Sequence, residues 1–154
     1  LLGTMGKALA SHGAYAIVTP VLKSYLVNNM RSLLYTTALP PVAINWNLFI
    51  LNQMPFLEDR RKKLRDVSAK FRHALTEQNL TFTGDTHIVP VVTWSNKKAV
   101  ELSEILIEKG FLAFPIRPPT VPENNSRIRF SLTSDIEFTD IQDVPGMIRQ
   151  YLEN

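Results

Sequence analysis

The chain has 154 residues, 45% hydrophobic and 20% charged, with a net charge of +3, a balance that excludes disordered and collagen-like chains. The absence of cysteine excludes disulfides, a thiolate nucleophile and Cys-type zinc sites, and three scattered histidines do not form a metal site. No apolar run reaches the roughly 20 residues that cross a bilayer and no signal-peptide succession opens the chain, so the expectation is a soluble, cytoplasmic protein with no membrane partner.

Leu1 to His12 reads as a loop between strands. Gly3, Gly6 and Gly13 are half of the six glycines and concentrate backbone freedom there. Ala14 to Val18 is a short apolar strand. Thr19 to Asn29 is a helix with Thr19 as N-cap and Pro20 at the first helical position. Leu33 to Pro41 is a segment ending in a Pro-Pro stop. Val42 to Met54 is a helix apolar nearly all round, interrupted by Asn45, Asn47 and Asn52, and expected to be largely buried. Leu57 to Gln78 is a basic helix whose inward stripe is Leu64, Val67, Phe71 and Leu75.

Strand and helix then alternate. His87 to Trp94 is a strand, Lys97 to Lys109 a helix with Gly110 at its C-cap, and Phe111 to Ile116 a strand. Arg117 to Pro122 holds three prolines and is expected as a rigid extended loop. Arg127 to Leu132 is another strand, and capping boxes at Ser134/Glu137 and Thr139/Gln142 precede a last helix to Leu152. The fold class is α/β, with a boundary near residue 55. Residues 55–154 have the elements of a small α/β unit, whereas one strand and two helices in residues 1–54 do not close a core.

Charge is unevenly placed. Residues 1–57 contain no Asp or Glu, while seven basic residues crowd between Arg60 and His73. Without interleaved aromatics that helix reads as a solvated charged face rather than a nucleic-acid platform, and no nucleic acid is expected as partner.

Three places carry candidate chemistry. Lys7, in Gly3-Thr-Met-Gly-Lys-Ala-Leu9, is flanked by small residues that admit a ligand to the backbone. A partly dehydrated lysine there is a nucleophile able to form a Schiff base, with Thr4 offering a hydroxyl to a phosphate. Spacing alone leaves open an ordinary turn lysine or a shortened phosphate loop, which lacks the Walker spacing. Arg127 and Arg129 share one face of a strand, suited to a carboxylate or simply to solvent. Thr36 and Thr37 are adjacent hydroxyls before the proline stop, where a plain strand end is the alternative.

Together these segments resemble the α-oxoamine synthases, pyridoxal 5′-phosphate (PLP) enzymes of the aspartate-aminotransferase fold type (fold type I). Gly3 to Leu9 with Ser11-His-Gly-Ala14 is similar to the family's PLP-lysine loop, and Tyr35-Thr-Thr-Ala-Leu-Pro-Pro41 to its second phosphate-contacting segment. Ile116-Arg-Pro-Pro-Thr-Val-Pro122 with Arg127-Ile-Arg129 is similar to its substrate loop and strand. The resemblance covers essentially the whole chain. It implies that residues 1–54 end a large PLP-binding domain and residues 55–154 form the small C-terminal domain.

It also implies that Lys7 carries the cofactor and then moves the α-proton, that Thr4 binds the cofactor phosphate, and that Thr36 and Thr37 approach the phosphate of a neighbouring subunit's cofactor in a homodimer. Arg129 would hold the amino-acid carboxylate and Thr120 would contact substrate, with Arg117 near the acyl group. The proline loop is most similar to that of members condensing L-alanine with a pimeloyl thioester, on CoA or a carrier protein; a glycine C-acetyltransferase is the alternative within the family, and a non-catalytic dimerisation or anion-binding module the alternative outside it. Ala10 departs from the glycine common in the family, and Ile136 from a common histidine. The ring-stacking side chain and the aspartate that meets the pyridine nitrogen would lie upstream of Leu1, so the 154 residues alone are expected to be inactive.

Overall fold

The computed structural model describes residues 1–153. Among them the chain divides into two compact units, Leu1–Leu57 and Glu58 onward. No helix among the described residues is long and apolar enough to cross a membrane.

The first unit opens with strand β1 (Leu2–Thr4), not with loop alone. It pairs antiparallel with β2 (Ala14–Ala16), Leu2 opposite Ala16 and Thr4 opposite Ala14. Glycine at position 3 lets the Tyr15 ring lie over the strand, since a Cβ there would meet that ring at 2.4 Å. Helix α1 (Pro20–Asn29) starts as its sequence signals dictate, the Leu22 N–H donating to Thr19 Oγ1 at 3.4 Å. The segment expected to end at a Pro-Pro stop instead contains a one-turn helix, α2 (Arg31–Leu34). Pro41 opens α3 (Pro41–Gln53) rather than stopping anything, because the first helical position needs no N–H donor. A 3₁₀ turn, Met54–Phe56, follows.

Helix α3 is not largely buried. Only Ala43 is, while Trp46 (45%), Phe49 (53%) and Leu48 (57%) remain exposed. A helix apolar on all sides is buried only if neighbours surround it, and the 57 residues of this unit do not supply them.

The second unit begins with α4 (Glu58–Glu77) and continues through β3 (Ile88–Trp94), α5 (Asn96–Glu108), β4 (Phe114–Ile116), β5 (Ser126–Ser131), the one-turn α6 (Phe138–Ile141) and α7 (Val144–Glu153). The three strands form an antiparallel sheet in the order β3-β5-β4. The strand bearing Arg127 and Arg129 is thus central, its backbone paired on both sides. Its alternate residues Ile128 and Phe130 join Val89, Val91, Phe71, Leu75, Leu102, Leu106 and Ile148 in one core. The Phe71 and Phe130 rings meet edge to face at 5.2 Å. The buried Ser103 and Thr93 hydroxyls donate to the carbonyls of Ala113 (2.6 Å) and Ser126 (3.0 Å).

Three local expectations are corrected. The strand before the proline loop is shortened, because Phe111 still closes α5 by donating to the Leu106 carbonyl at 2.8 Å. The proline segment is a turn rather than extended: the Thr120 N–H donates to the Arg117 carbonyl at 3.0 Å across the cis Pro118–Pro119 bond. Fixed-φ residues at the two central positions suit such a turn. The capping box forms between Glu137 and Asp140, one helix start away from either expected pair. Ser134 instead accepts from Arg60 Nε at 3.1 Å, and Thr139 lies inside α6.

Candidate functional site

The connection from β1 to β2 is a closed loop. The Met5 side chain is buried, its N–H donates to the Gly13 carbonyl at 2.9 Å, and the Ser11 N–H returns to the Met5 carbonyl at 3.0 Å. The Ala10 N–H caps the tip by donating to the Lys7 carbonyl at 2.9 Å. Gly13 sits at φ +99°, and a Cβ there would meet Leu39 Cδ1 at 2.7 Å, so backbone freedom and a close approach coincide. Ala10 occupies the left-handed region at φ +46° with a side chain that disfavours it.

Helix α3 holds this loop on both flanks. Trp46 Nε1 donates to the Leu9 carbonyl at 3.2 Å, and Asn47 Nδ2 to the His12 carbonyl at 3.1 Å. The sequence marked Asn47 only as an interruption of an apolar helix and gave Trp46 no role. A polar side chain inside an otherwise apolar stretch was the available signal.

Lys7 lies exposed on this loop and Thr4, also exposed, ends β1 just before it. The dehydration expected for Lys7 is therefore not supplied by the first unit. Thr36 and Thr37 are exposed in the segment after α2 that leads to Leu39, the residue packed at Gly13. This donor set fits an aldehyde-bearing phosphate: a primary amine for the aldehyde and hydroxyls for the phosphate. No carboxylate for a ring nitrogen comes from residues 1–57, which contain no Asp or Glu.

The remaining candidates lie in the second unit. Arg129 is exposed on the sheet face opposite the core, paired on one side with Pro90 and on the other with Phe114. Cross-strand partners share a face, so Arg129 leaves the sheet beside two apolar neighbours on its solvent-facing side. Arg127 is tied back, its Nε donating to the Asn125 carbonyl at 2.9 Å. Arg117 and Thr120, both exposed, are the ends of the proline turn, which leaves β4 directly after Ile116, the partner of Arg127. The predicted residues thus fall into two groups, Thr4, Lys7, Thr36 and Thr37 in one unit and Arg117, Thr120 and Arg129 in the other.

The basic face of α4 is extensively paired. Arg61 and Arg65 clasp Glu58 at 2.9 and 2.8 Å, Arg60 meets Asp135 at 2.8 Å, and Lys63 bonds Glu137. The hydrogen bond from Arg65, then that from Arg61, holds the Glu58 carboxyl below its ordinary range. Arg72 donates to the Thr86 carbonyl.

Comparison with known proteins places the chain in a class. The aminotransferase class I and II family model matches residues 1–140, so the chain belongs to that family, whose cofactor is PLP. The particular relatives are narrower. The chain is 43% identical over 141 residues to 8-amino-7-oxononanoate synthase of Chlorobaculum parvum, covering 92% of this chain and 36% of that protein. It is 39% identical over 154 residues to a putative 8-amino-7-oxononanoate synthase of Pasteurella multocida, covering 99% of this chain and 40% of the relative. Among solved structures, 8-amino-7-oxononanoate synthase of Francisella tularensis superposes with a TM-score of 0.88 at 26% identity, covering 99% of this chain and 45% of that one. A serine palmitoyltransferase of Sphingomonas wittichii has the same fold, with a TM-score of 0.86 at 22% identity, covering 97% of this chain and 38% of that one. The fold is thus part of the α/β architecture of PLP-dependent aminotransferase-type enzymes, and the chain spans 36% to 40% of the length of these curated relatives.

Proposed function

We propose that the chain belongs to a PLP-dependent α-oxoamine synthase that joins L-alanine to a pimeloyl thioester, releasing carbon dioxide and the free thiol and giving 8-amino-7-oxononanoate, a step of biotin biosynthesis. The observation that carries this reading is the closed loop around buried Met5 that presents the Lys7 amine to solvent with the Thr4 hydroxyl three residues away. The relatives named for this reaction support the choice among family members.

In this reading residues 1–54 end the large cofactor domain and residues 55–154 are the small C-terminal domain. Lys7 Nζ would hold the cofactor through its aldehyde and would hold and move the proton at the amino acid's α-carbon. When bound, PLP supplies the electron sink for chemistry at that carbon. The Thr4 hydroxyl donates to the phosphate, and Thr36 and Thr37 serve the phosphate of a neighbouring subunit in a homodimer. The guanidinium of Arg129, the cross-strand neighbour of Pro90 and Phe114, grips the alanine carboxylate. Thr120 and Arg117, at the proline turn, orient the substrate and its acyl group.

Borohydride reduction of the protein incubated with PLP should fix the cofactor covalently on Lys7, as read by peptide mass, and Lys7→Ala should abolish that adduct and the visible absorbance of lysine-bound cofactor. An adduct elsewhere, or unchanged absorbance in the variant, overturns the lysine assignment. Turnover of alanine with a pimeloyl thioester, set against glycine with acetyl-CoA, decides the substrate pair.

A further inference from the structure

We propose that Trp46 and Asn47 of α3 are positioning residues that set the pose of Lys7 by clamping the two flanks of its loop. The proposal rests on Lys7 being the cofactor lysine. The two residues are successive on the helix, so their side chains leave it about 100° apart and straddle the loop. One reaches the Leu9 carbonyl at 3.2 Å and the other the His12 carbonyl at 3.1 Å. Leu9 belongs to the turn closed by the Ala10 N–H on the Lys7 carbonyl, so fixing Leu9 fixes the backbone from which the Lys7 side chain departs. His12 immediately precedes Gly13, where the Met5 N–H closes the loop.

The orientation of the Asn47 amide is specific. Its Oδ1 is buried and makes no hydrogen bond among the described residues. Rotating the amide would set that oxygen against the His12 carbonyl and lose the bond already made, so the bond to the loop determines which way the group points. An aliphatic residue would avoid the unmet acceptor but could not hold the loop. The Trp46 ring lies beside Phe49, at 5.7 Å between centroids, and its N–H reaches the Leu9 carbonyl.

Trp46→Phe removes the indole N–H together with the pyrrole part of the ring, and Asn47→Asp replaces the amide NH2 by a carboxylate oxygen at nearly the same shape. In either variant the Met5, Ala10 and Ser11 amides should exchange hydrogen about five- to tenfold faster, with α1 amides unchanged. Labelling of Lys7 by PLP and borohydride should fall relative to Lys23 on α1. Unchanged loop exchange overturns the clamp, and faster exchange with unchanged Lys7 selectivity overturns positioning. Faster exchange in α1 as well means a general loss of structure and also overturns it, and if Trp46→Phe unfolds the unit, Asn47→Asp carries the test. A parent protein in which Lys7 takes no label overturns the reading of Lys7 itself, a failure that the exchange data separate from that of the clamp.

Discussion

Two helices of very different apolar content meet fates opposite to those their compositions suggest. Helix α4 carries seven basic residues yet buries Val67, Phe71 and Leu75, whereas α3, apolar nearly throughout, buries only Ala43. Apolar composition therefore measures how much burial a segment can use, and the surrounding elements decide how much it receives. The second unit closes a core of helices on one sheet face. The first organises itself around Met5 and the Lys7 loop, and leaves Val21, Tyr25, Val42 and Phe49 exposed.

The sharpest test of that contrast is a pair of Phe truncations. Phe71→Ala should cost about 3 to 5 kcal/mol, because the ring is fully buried against Phe130, while Phe49→Ala, at 53% exposure, should change stability by less than about 1 kcal/mol. Urea unfolding of the chain measures both, and a Phe49 effect as large as that of Phe71 would remove the distinction between the units.

A smaller effect belongs to the second unit alone. Burial, and then the hydrogen bond to Glu101 at 2.6 Å, push the Tyr151 hydroxyl up from 10.0 to about 12. The folded state thus favours the neutral phenol. That contribution is fully present below pH 10 and is lost as pH rises toward 12, by about 1 kcal/mol at pH 11. Tyr151→Phe should flatten this alkaline decline, as read from urea midpoints at pH 9 and 11. The least effect is expected in the first unit: Ala10→Gly at φ +46° should stabilise by about 0.5 to 1 kcal/mol, relief of left-handed strain outweighing the added chain entropy.

Much of the second unit was legible in the sequence because its signals are local and its partners are present. Leu64, Val67, Phe71 and Leu75 at helical spacing, and Ile128 and Phe130 alternating with Arg127 and Arg129, point where their periods say. What stayed hidden depends on long-range pairing. Nothing local showed that the Arg129 strand is central, since its place follows from β3 and β4, which lie some forty residues before it and directly before it in the chain. Nor could spacing show that Trp46 and Asn47 reach carbonyls 37 and 35 residues earlier. At the candidate site, Lys7 and Thr4 stood out by their glycine context, but their exposure did not, because dehydration is a property of what surrounds a loop.

The chain's two tryptophans divide evenly: Trp46 lies in the first unit, and Trp94 in the second, at the end of β3 with φ +63°. Both indoles are partly open to water, at 45% and 56% exposure. Each unit therefore carries a single tryptophan, whose emission can be excited apart from that of the tyrosines. Emission from a Trp94→Phe protein would report on the ground beneath the Lys7 loop alone, and emission from a Trp46→Phe protein on the sheet that bears Arg129, so the melting of the two halves can be followed separately without any added dye.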